Sequence, residues 1–111
     1  GISDGDKIKT TTKIGTGLTD AQFREMKKRL TKLEVKTKPK QYELHKIYTP
    51  DYWVRPGLVV EIAADEITKS PTHSAGLALR FPRLVKFRDD KNPDQITTKK
   101  ELQNLFEMQT T

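Results

Sequence analysis

The 111-residue chain has no cysteine, which excludes a disulfide framework, a thiolate metal site and thiol redox catalysis, and suits a reducing cytosol. Aromatic residues make up only 7%, so few side chains are on hand for stacking nucleobases. Histidine is scarce too: His73 stands alone in the loop 68–76, with His45 the only other one. A metal site needs converging ligands, so none is expected, and His73 is read as a loop hydrogen-bonding residue. No run approaches the roughly 18 apolar residues of a membrane span, and the N-terminus lacks the apolar core of a signal peptide. A soluble monomer without a membrane partner is expected, cytoplasmic or nucleoid-associated, or nuclear in a eukaryote.

Charge is what the chain has in quantity. Hydrophobic residues account for 33% and charged residues for 32%, a balance that implies a small core surrounded by exposed, charged segments. The length is that of one domain. Twenty-one basic against 15 acidic residues leave a net charge of +6, which favours polyanions, with nucleic acid as the leading partner class.

After an opening turn over residues 1–6, Ile8, Thr10, Thr12 and Ile14 alternate with Lys7, Lys9, Thr11 and Lys13, the pattern of a strand with one lysine-rich face. Gly15-Thr16-Gly17 breaks it. Thr19 and Gln22 form a capping box and Leu18 is placed to staple onto Phe23, so a helix begins here. Its apolar stripe is Phe23, Met26, Leu30 and Leu33. Residues 34–52 keep no sustained period and read as a long mobile loop. Leu58, Val60, Ile62 and Ala64 then alternate with Val59, Glu61, Ala63 and Asp65 in the clearest strand, expected to be central. Trp53, just ahead of it, reads as a core aromatic. Thr98 and Glu101 make a second capping box for a helix over 97–109, whose Leu102, Leu105 and Phe106 should dock on the body.

Most of the chemistry lies between Arg80 and Lys91, where Arg80, Arg83, Lys86, Arg88 and Lys91 accompany a short apolar strand. The pleat puts Val85 and Phe87 on one side, with Phe81 in phase, and Leu84, Lys86 and Arg88 on the other, so one face is free for burial while the opposite carries cations. Pro82 cannot donate to a ladder and marks an edge, a bulge or the beginning of a strand. The forked guanidinium of Arg88 and the compact ammonium of Lys91 suit a phosphate gripped from two directions, with Asp90 orienting the cations or lying near a metal. Cations placed to protect a sheet edge are the competing reading.

The stretch from Leu79-Arg80-Phe81-Pro82-Arg83 through Arg88-Asp89-Asp90-Lys91 to Asn92-Pro93-Asp94-Gln95-Ile96-Thr97-Thr98 resembles the C-terminal motif of ATP-dependent DNA ligases. Further blocks are similar to that family in the same order: 13–20 (Lys-Ile-Gly-Thr-Gly-Leu-Thr-Asp), 53–56 (Trp-Val-Arg-Pro), 59–62 (Val-Val-Glu-Ile) and 65–71 (Asp-Glu-Ile-Thr-Lys-Ser-Pro). The Arg-x-Asp-Lys ending is shared with mRNA capping enzymes and RNA ligases, whose equivalent domain is one alternative. A stand-alone nucleic-acid-binding module without catalysis is another.

The resemblance implies a mainly β OB-fold, a small Greek-key barrel with one inserted helix and a short C-terminal helix. Residues 1–111 would be the C-terminal domain of a ligase. Family members carry more strand sequence before the Lys13 block, so the domain is expected either to be N-terminally truncated, lacking its first strand, or to be completed from outside this chain. The resemblance further implies that Arg88, Asp90 and Lys91 orient the β and γ phosphates of ATP, carried with Mg2+, during lysine adenylation. It places Arg80, Phe81, Arg83 and Lys69 against nicked double-stranded DNA and makes the ligase adenylation domain a partner. The adenylated lysine of a Lys-x-Asp-Gly motif is missing; the nearest match, Ile2-Ser3-Asp4-Gly5, has isoleucine where the nucleophile belongs. The isolated chain is therefore expected to be inactive.

Overall fold

Asp4 and Lys7 face each other across the turn Gly5-Asp6, in which Gly5 has φ 64°, a value a residue without a Cβ adopts at no steric cost. That turn makes the opening segment a hairpin. In the computed structural model, which describes residues 1–109, the order is β1 (Ile2–Asp4), β2 (Lys7–Lys9), α1 (Asp20–Thr31), β3 (Glu34–Val35), β4 (Tyr42–Glu43), β5 (Trp53–Val54), β6 (Val60–Ala63), β7 (Glu66–Lys69), β8 (Leu77–Arg80), β9 (Arg83–Phe87) and α2 (Lys99–Gln109). The chain is mainly β with two helices, consistent with an OB-fold. Its ladders among the described residues form four groups: β1-β2-β4, β3-β5, β6-β9 and β7-β8.

The last two groups are one long ribbon. Ala63 lies opposite Arg83 and Glu66 opposite Arg80, so the register continues across an interruption at Ala64-Asp65 and Phe81-Pro82. The stretch from Arg80 to Lys91 is therefore not one strand. Pro82, which cannot donate, lies in the break, and Phe81 before it takes φ 56°, a left-handed value uncommon for a side chain of its bulk. β6 is also shorter than expected and, among the described residues, pairs only with β9, so it is not a central strand.

A β-bulge corrects the expected faces of β9. Glu61 is opposite Lys86 but Ile62 is opposite Leu84, which leaves Val85 as the extra residue. Strict alternation would group Val85 with Phe87. Instead Leu84 is buried at 6% exposure and Val85 stands out at 47%, because one extra residue moves everything beyond it to the other face.

The principal core lies elsewhere, where β1, β8 and α2 meet. Ile2, Ala75, Leu77 and Leu102 are buried together, with Ile67, Leu79 and Phe106 packed around them. The second capping box forms as expected: Thr98 N–H donates to Glu101 Oε1 at 2.9 Å and Glu101 N–H to Thr98 Oγ1 at 3.1 Å. At the far end of α2, Gln109 accepts from Ile67 N–H at 2.9 Å and donates back to the Ile67 carbonyl, so its amide occupies the edge of β7 as a strand would. Leu105 is exposed.

Only residues 7–9 of the expected strand 7–14 are regular, but Thr10–Thr12 still run along β8. Ala75 N–H donates to Thr10 O and Leu79 N–H to Thr11 O. Thr11, expected on the lysine face, is buried at 3% exposure, its hydroxyl donating to the Leu77 carbonyl at 2.8 Å, which satisfies the one polar group that burial would otherwise leave unpaired.

Helix α1 begins at the expected capping box, with Gln22 N–H donating to Thr19 Oγ1 and Thr19 N–H to Gln22 Oε1. It buries no residue, and Phe23 of its apolar stripe is 60% exposed. Residues 34–52 carry β3, β4 and a 3-10 turn at Lys46–Tyr48 where no regular structure was expected. Trp53 is half-buried and stacks on Tyr42, centroids 6.5 Å apart, outside the core cluster.

Candidate phosphate- and DNA-binding surface

The ribbon delivers two groups of functional candidates to different places. At its break, Arg83 Nη1 donates to Asp65 Oδ1 at 2.8 Å and to the Phe81 carbonyl at 3.0 Å, tying β9 to the segment before β7. The Arg80 guanidinium lies over the Phe81 ring, 5.4 Å from its centroid, within cation-π range. Phe81 is 61% exposed, an apolar ring held outward at a strained turn. Lys69, at the other end of β7, is exposed beside an open groove shared with Ser70, Gly76 and Lys99. The structure thus joins Arg80, Phe81 and Arg83 in one turn and leaves Lys69 apart from them.

Gly17 explains why the turn sits where it does. A Cβ at this position would come 2.0 Å from the Pro82 carbonyl oxygen and 3.1 Å from Arg83 Cα, so the loop before α1 crosses the turn in backbone contact. Leu84 N–H donates to Gly17 O at 2.9 Å and Gln22 Nε2 to Leu84 O at 3.1 Å. The Gly-Thr-Gly block and the Arg-Phe-Pro-Arg block are thus one structural unit.

At the other end of β9 the cations are sorted among acids. Arg88 continues the pairing through its N–H, which donates to Val59 O at 2.8 Å. Its side chain makes a bidentate pair with Asp90, Nε to Oδ1 at 3.0 Å and Nη2 to Oδ2 at 2.9 Å, and a third bond from Nη1 to Glu61 Oε1 at 3.1 Å. Arg29 on α1 takes Asp89, Nη1 to Oδ1 at 2.5 Å, while lying over the Phe87 ring at 4.3 Å. The hydrogen-bonded Arg88 guanidinium pulls the Asp90 carboxyl down to about 2, and Asp90 in turn raises Arg88. Lys91, half-buried, has no ion-pair partner among the described residues.

This donor set fits phosphate oxygens. A guanidinium carries five N–H donors; three are used in these bonds, and two are left over by them. The acids do not assemble a metal site. Both Asp90 oxygens are engaged by Arg88, and no group of three or more His, Asp or Glu among the described residues could hold a metal ion. Asp90 thus holds the Arg88 guanidinium through both of its carboxylate oxygens.

Sequence reasoning missed Glu61, Arg29, Asp89 and Gly17 as partners of these sites. Glu61 and Gly17 lie within recognisable blocks, but their roles depend on contacts made 27 and 65 residues away along the chain. His73 does behave as a hydrogen-bonding loop residue, its Nδ1 3.3 Å from Thr10 Oγ1 and its ring stacked on Tyr48 at 4.5 Å. The Lys-x-Asp-Gly-like Ile2–Gly5 is a hairpin: Ile2 is in the core and Asp4 pairs with Lys9 at 2.8 Å.

Residues 1–91 match the family described as ATP dependent DNA ligase C terminal region, and the chain belongs to that family. It is 42% identical over 108 residues to DNA ligase 1 of Methanosarcina barkeri, covering 91% of this chain and 20% of that protein. It is 38% identical over 112 residues to the DNA ligase of Sulfurisphaera tokodaii, covering 93% and 18%, and 42% identical over 109 residues to a probable DNA ligase of Dictyoglomus turgidum, covering 91% and 18%. The chain spans about a fifth of the length of these relatives.

Proposed function

We propose that this chain works as the C-terminal OB-fold domain of an ATP-dependent DNA ligase, assisting adenylation of a lysine outside it and then holding nicked duplex for strand joining. The observation that carries the reading is the Arg88-Asp90-Lys91 corner, where a guanidinium oriented by two carboxylates retains two donors and the Lys91 N–H closes the turn onto the Arg88 carbonyl at 3.1 Å. During adenylation the amine of a lysine outside this chain would attack the α-phosphorus of ATP, breaking its bond to the oxygen that bridges to the β-phosphate and releasing pyrophosphate. Arg88 and Lys91 would stabilise the charge that grows on that leaving group, while Asp90 keeps the Arg88 plane in place. The sequence carries no Lys-x-Asp-Gly motif, so on this reading the isolated chain would not self-adenylate.

The DNA-binding part of the reading rests on Arg80, Phe81, Arg83 and Lys69. An exposed ring held at a strained turn suits insertion beside a nick, where the duplex unstacks at low cost. The alternative of a free-standing module that stacks bases is poorly served: of its candidates Tyr42 packs on Trp53 and donates to Val54 O, Tyr48 packs on His73, and Tyr52 is left as the exposed ring.

In the full-length ligase, Arg88→Ala and Lys91→Ala should each slow formation of the AMP-lysine intermediate by about a hundredfold. An unchanged rate in both would refute the phosphate-clamp reading. Phe81→Ala should weaken binding to nicked duplex, and affinity should fall with rising salt as phosphate neutralisation requires.

A further inference from the structure

Glu61 stands on β6, opposite Lys86 of β9. Side chains two residues apart share a face, so Arg88 is its diagonal cross-strand neighbour. This relation exists only because of the bulge at Val85. If one-to-one pairing continued from Ile62 and Leu84, Glu61 would oppose Val85, on the face of Phe87, and its carboxylate would point away from Arg88. The irregularity that buries Leu84 and turns Phe87 inward therefore also brings Glu61 Oε1 to 3.1 Å from Arg88 Nη1. Bulges next to active sites commonly re-aim a side chain in this way.

We propose that Glu61 is a positioning residue for Arg88, fixing the guanidinium plane so that its two unused donors meet the pyrophosphate of ATP. The proposal rests on the reading of Arg88 as a phosphate clamp and goes beyond it by adding a residue remote in sequence. Asp90 alone holds one edge of the fork and leaves the side chain free to swing with the turn that carries both residues. Glu61 ties the opposite edge to a different strand, which restrains that swing. The contribution of Glu61 is thus reach and acceptor geometry. Its negative charge by itself works against phosphate, which separates this role from a purely electrostatic one.

The test measures single-turnover formation of the AMP-lysine intermediate in the full-length ligase carrying Glu61→Gln, Glu61→Asp or Arg88→Ala, and the pair Glu61→Asp with Arg88→Ala. Gln keeps the acceptor and its reach without the charge; Asp keeps the charge but is one methylene too short. Glu61→Asp should slow the reaction about tenfold and Glu61→Gln should stay within about threefold of wild type, the scale of one hydrogen bond to a charged group. Adding Glu61→Asp to Arg88→Ala should cost nothing more, whereas a general structural defect would slow both backgrounds alike. A loss in Glu61→Gln equal to or greater than that in Glu61→Asp overturns the proposal, as does a Glu61→Asp effect that persists without Arg88. Wild-type rates in both Glu61 variants alongside an impaired Arg88→Ala overturn it while leaving the phosphate clamp intact. A wild-type rate in Arg88→Ala removes the clamp and this inference with it.

Discussion

Replacing Gly17 by alanine should unfold the domain at a markedly lower temperature. The added methyl would lie 2.0 Å from the Pro82 carbonyl oxygen, where carbon and oxygen ordinarily come no closer than about 3.3 Å. Something must move by more than an ångström, and the two groups concerned, the Gly17 and Pro82-Arg83 segments, are both backbone. Neither has a flexible tip to swing aside. Overpacking of this kind costs about 1–3 kcal/mol. If the loop retreats instead, the hydrogen bond from Leu84 N–H to Gly17 O, 2.9 Å long, is lost at about 1 kcal/mol. A total of roughly 2–4 kcal/mol corresponds to a drop in Tm of about 10–30 °C for a domain this small. Thermal unfolding followed by circular dichroism reads it directly. Gly15→Ala is the control: no atom lies within 4 Å of the added methyl, and a shift under about 3 °C is expected there. Should Gly17→Ala also melt within about 3 °C of wild type, the close crossing of loop and turn would be wrong.

Phe81 gives a second test of that turn. Phe81→Gly and Phe81→Ala lose the same exposed ring, but only glycine relieves φ 56°, so Phe81→Gly should be the more stable by about 1 kcal/mol, or roughly 4–8 °C in Tm; equal melting would argue against left-handed strain. Asp90 tests the other end of β9. Its folded pKa of about 2 lies below the ordinary value near 4, so the stability it contributes is complete above about pH 4 and is lost as pH falls through about 2. Arg88→Ala should return the carboxyl towards its ordinary value in a carbon-13 NMR titration, and a value still near 2 would show that Arg88 is not the cause.

Both capping boxes were legible in the sequence because a hydroxyl and an amide or carboxylate three residues apart are sufficient to start a helix. The docking of Leu102 and Phe106, and a loop histidine that hydrogen-bonds, were equally local in origin. The faces of β9 were not. Period-two alternation holds only while each residue has one partner, and the extra residue at Val85 is defined by the opposite strand, which lies some 24 residues away. The core position also escaped prediction. Val60–Ala63 has the most regular hydropathy yet stays half-buried, whereas Ile2 and Ala75, which no periodic pattern marks, are buried because α2 and the β7-β8 hairpin close over them. The short strands of residues 34–52 were missed because two paired residues are too few to show a period.

By itself the sequence determined the chemistry this protein can use. No cysteine, a surplus of cations and an Arg-Asp-Asp-Lys run decide which ligands attract it, since charge and functional groups belong to residues wherever they lie. Tertiary structure alone decided which groups act together. It gave Asp89 to Arg29 and Asp90 with Glu61 to Arg88, left Lys91 outside the close ion pairs of the described residues, and laid Gly17 against the Pro82 turn. Those assignments follow from strand register and from loops crossing at backbone distance, and neither quantity is a property of any residue until the chain has folded.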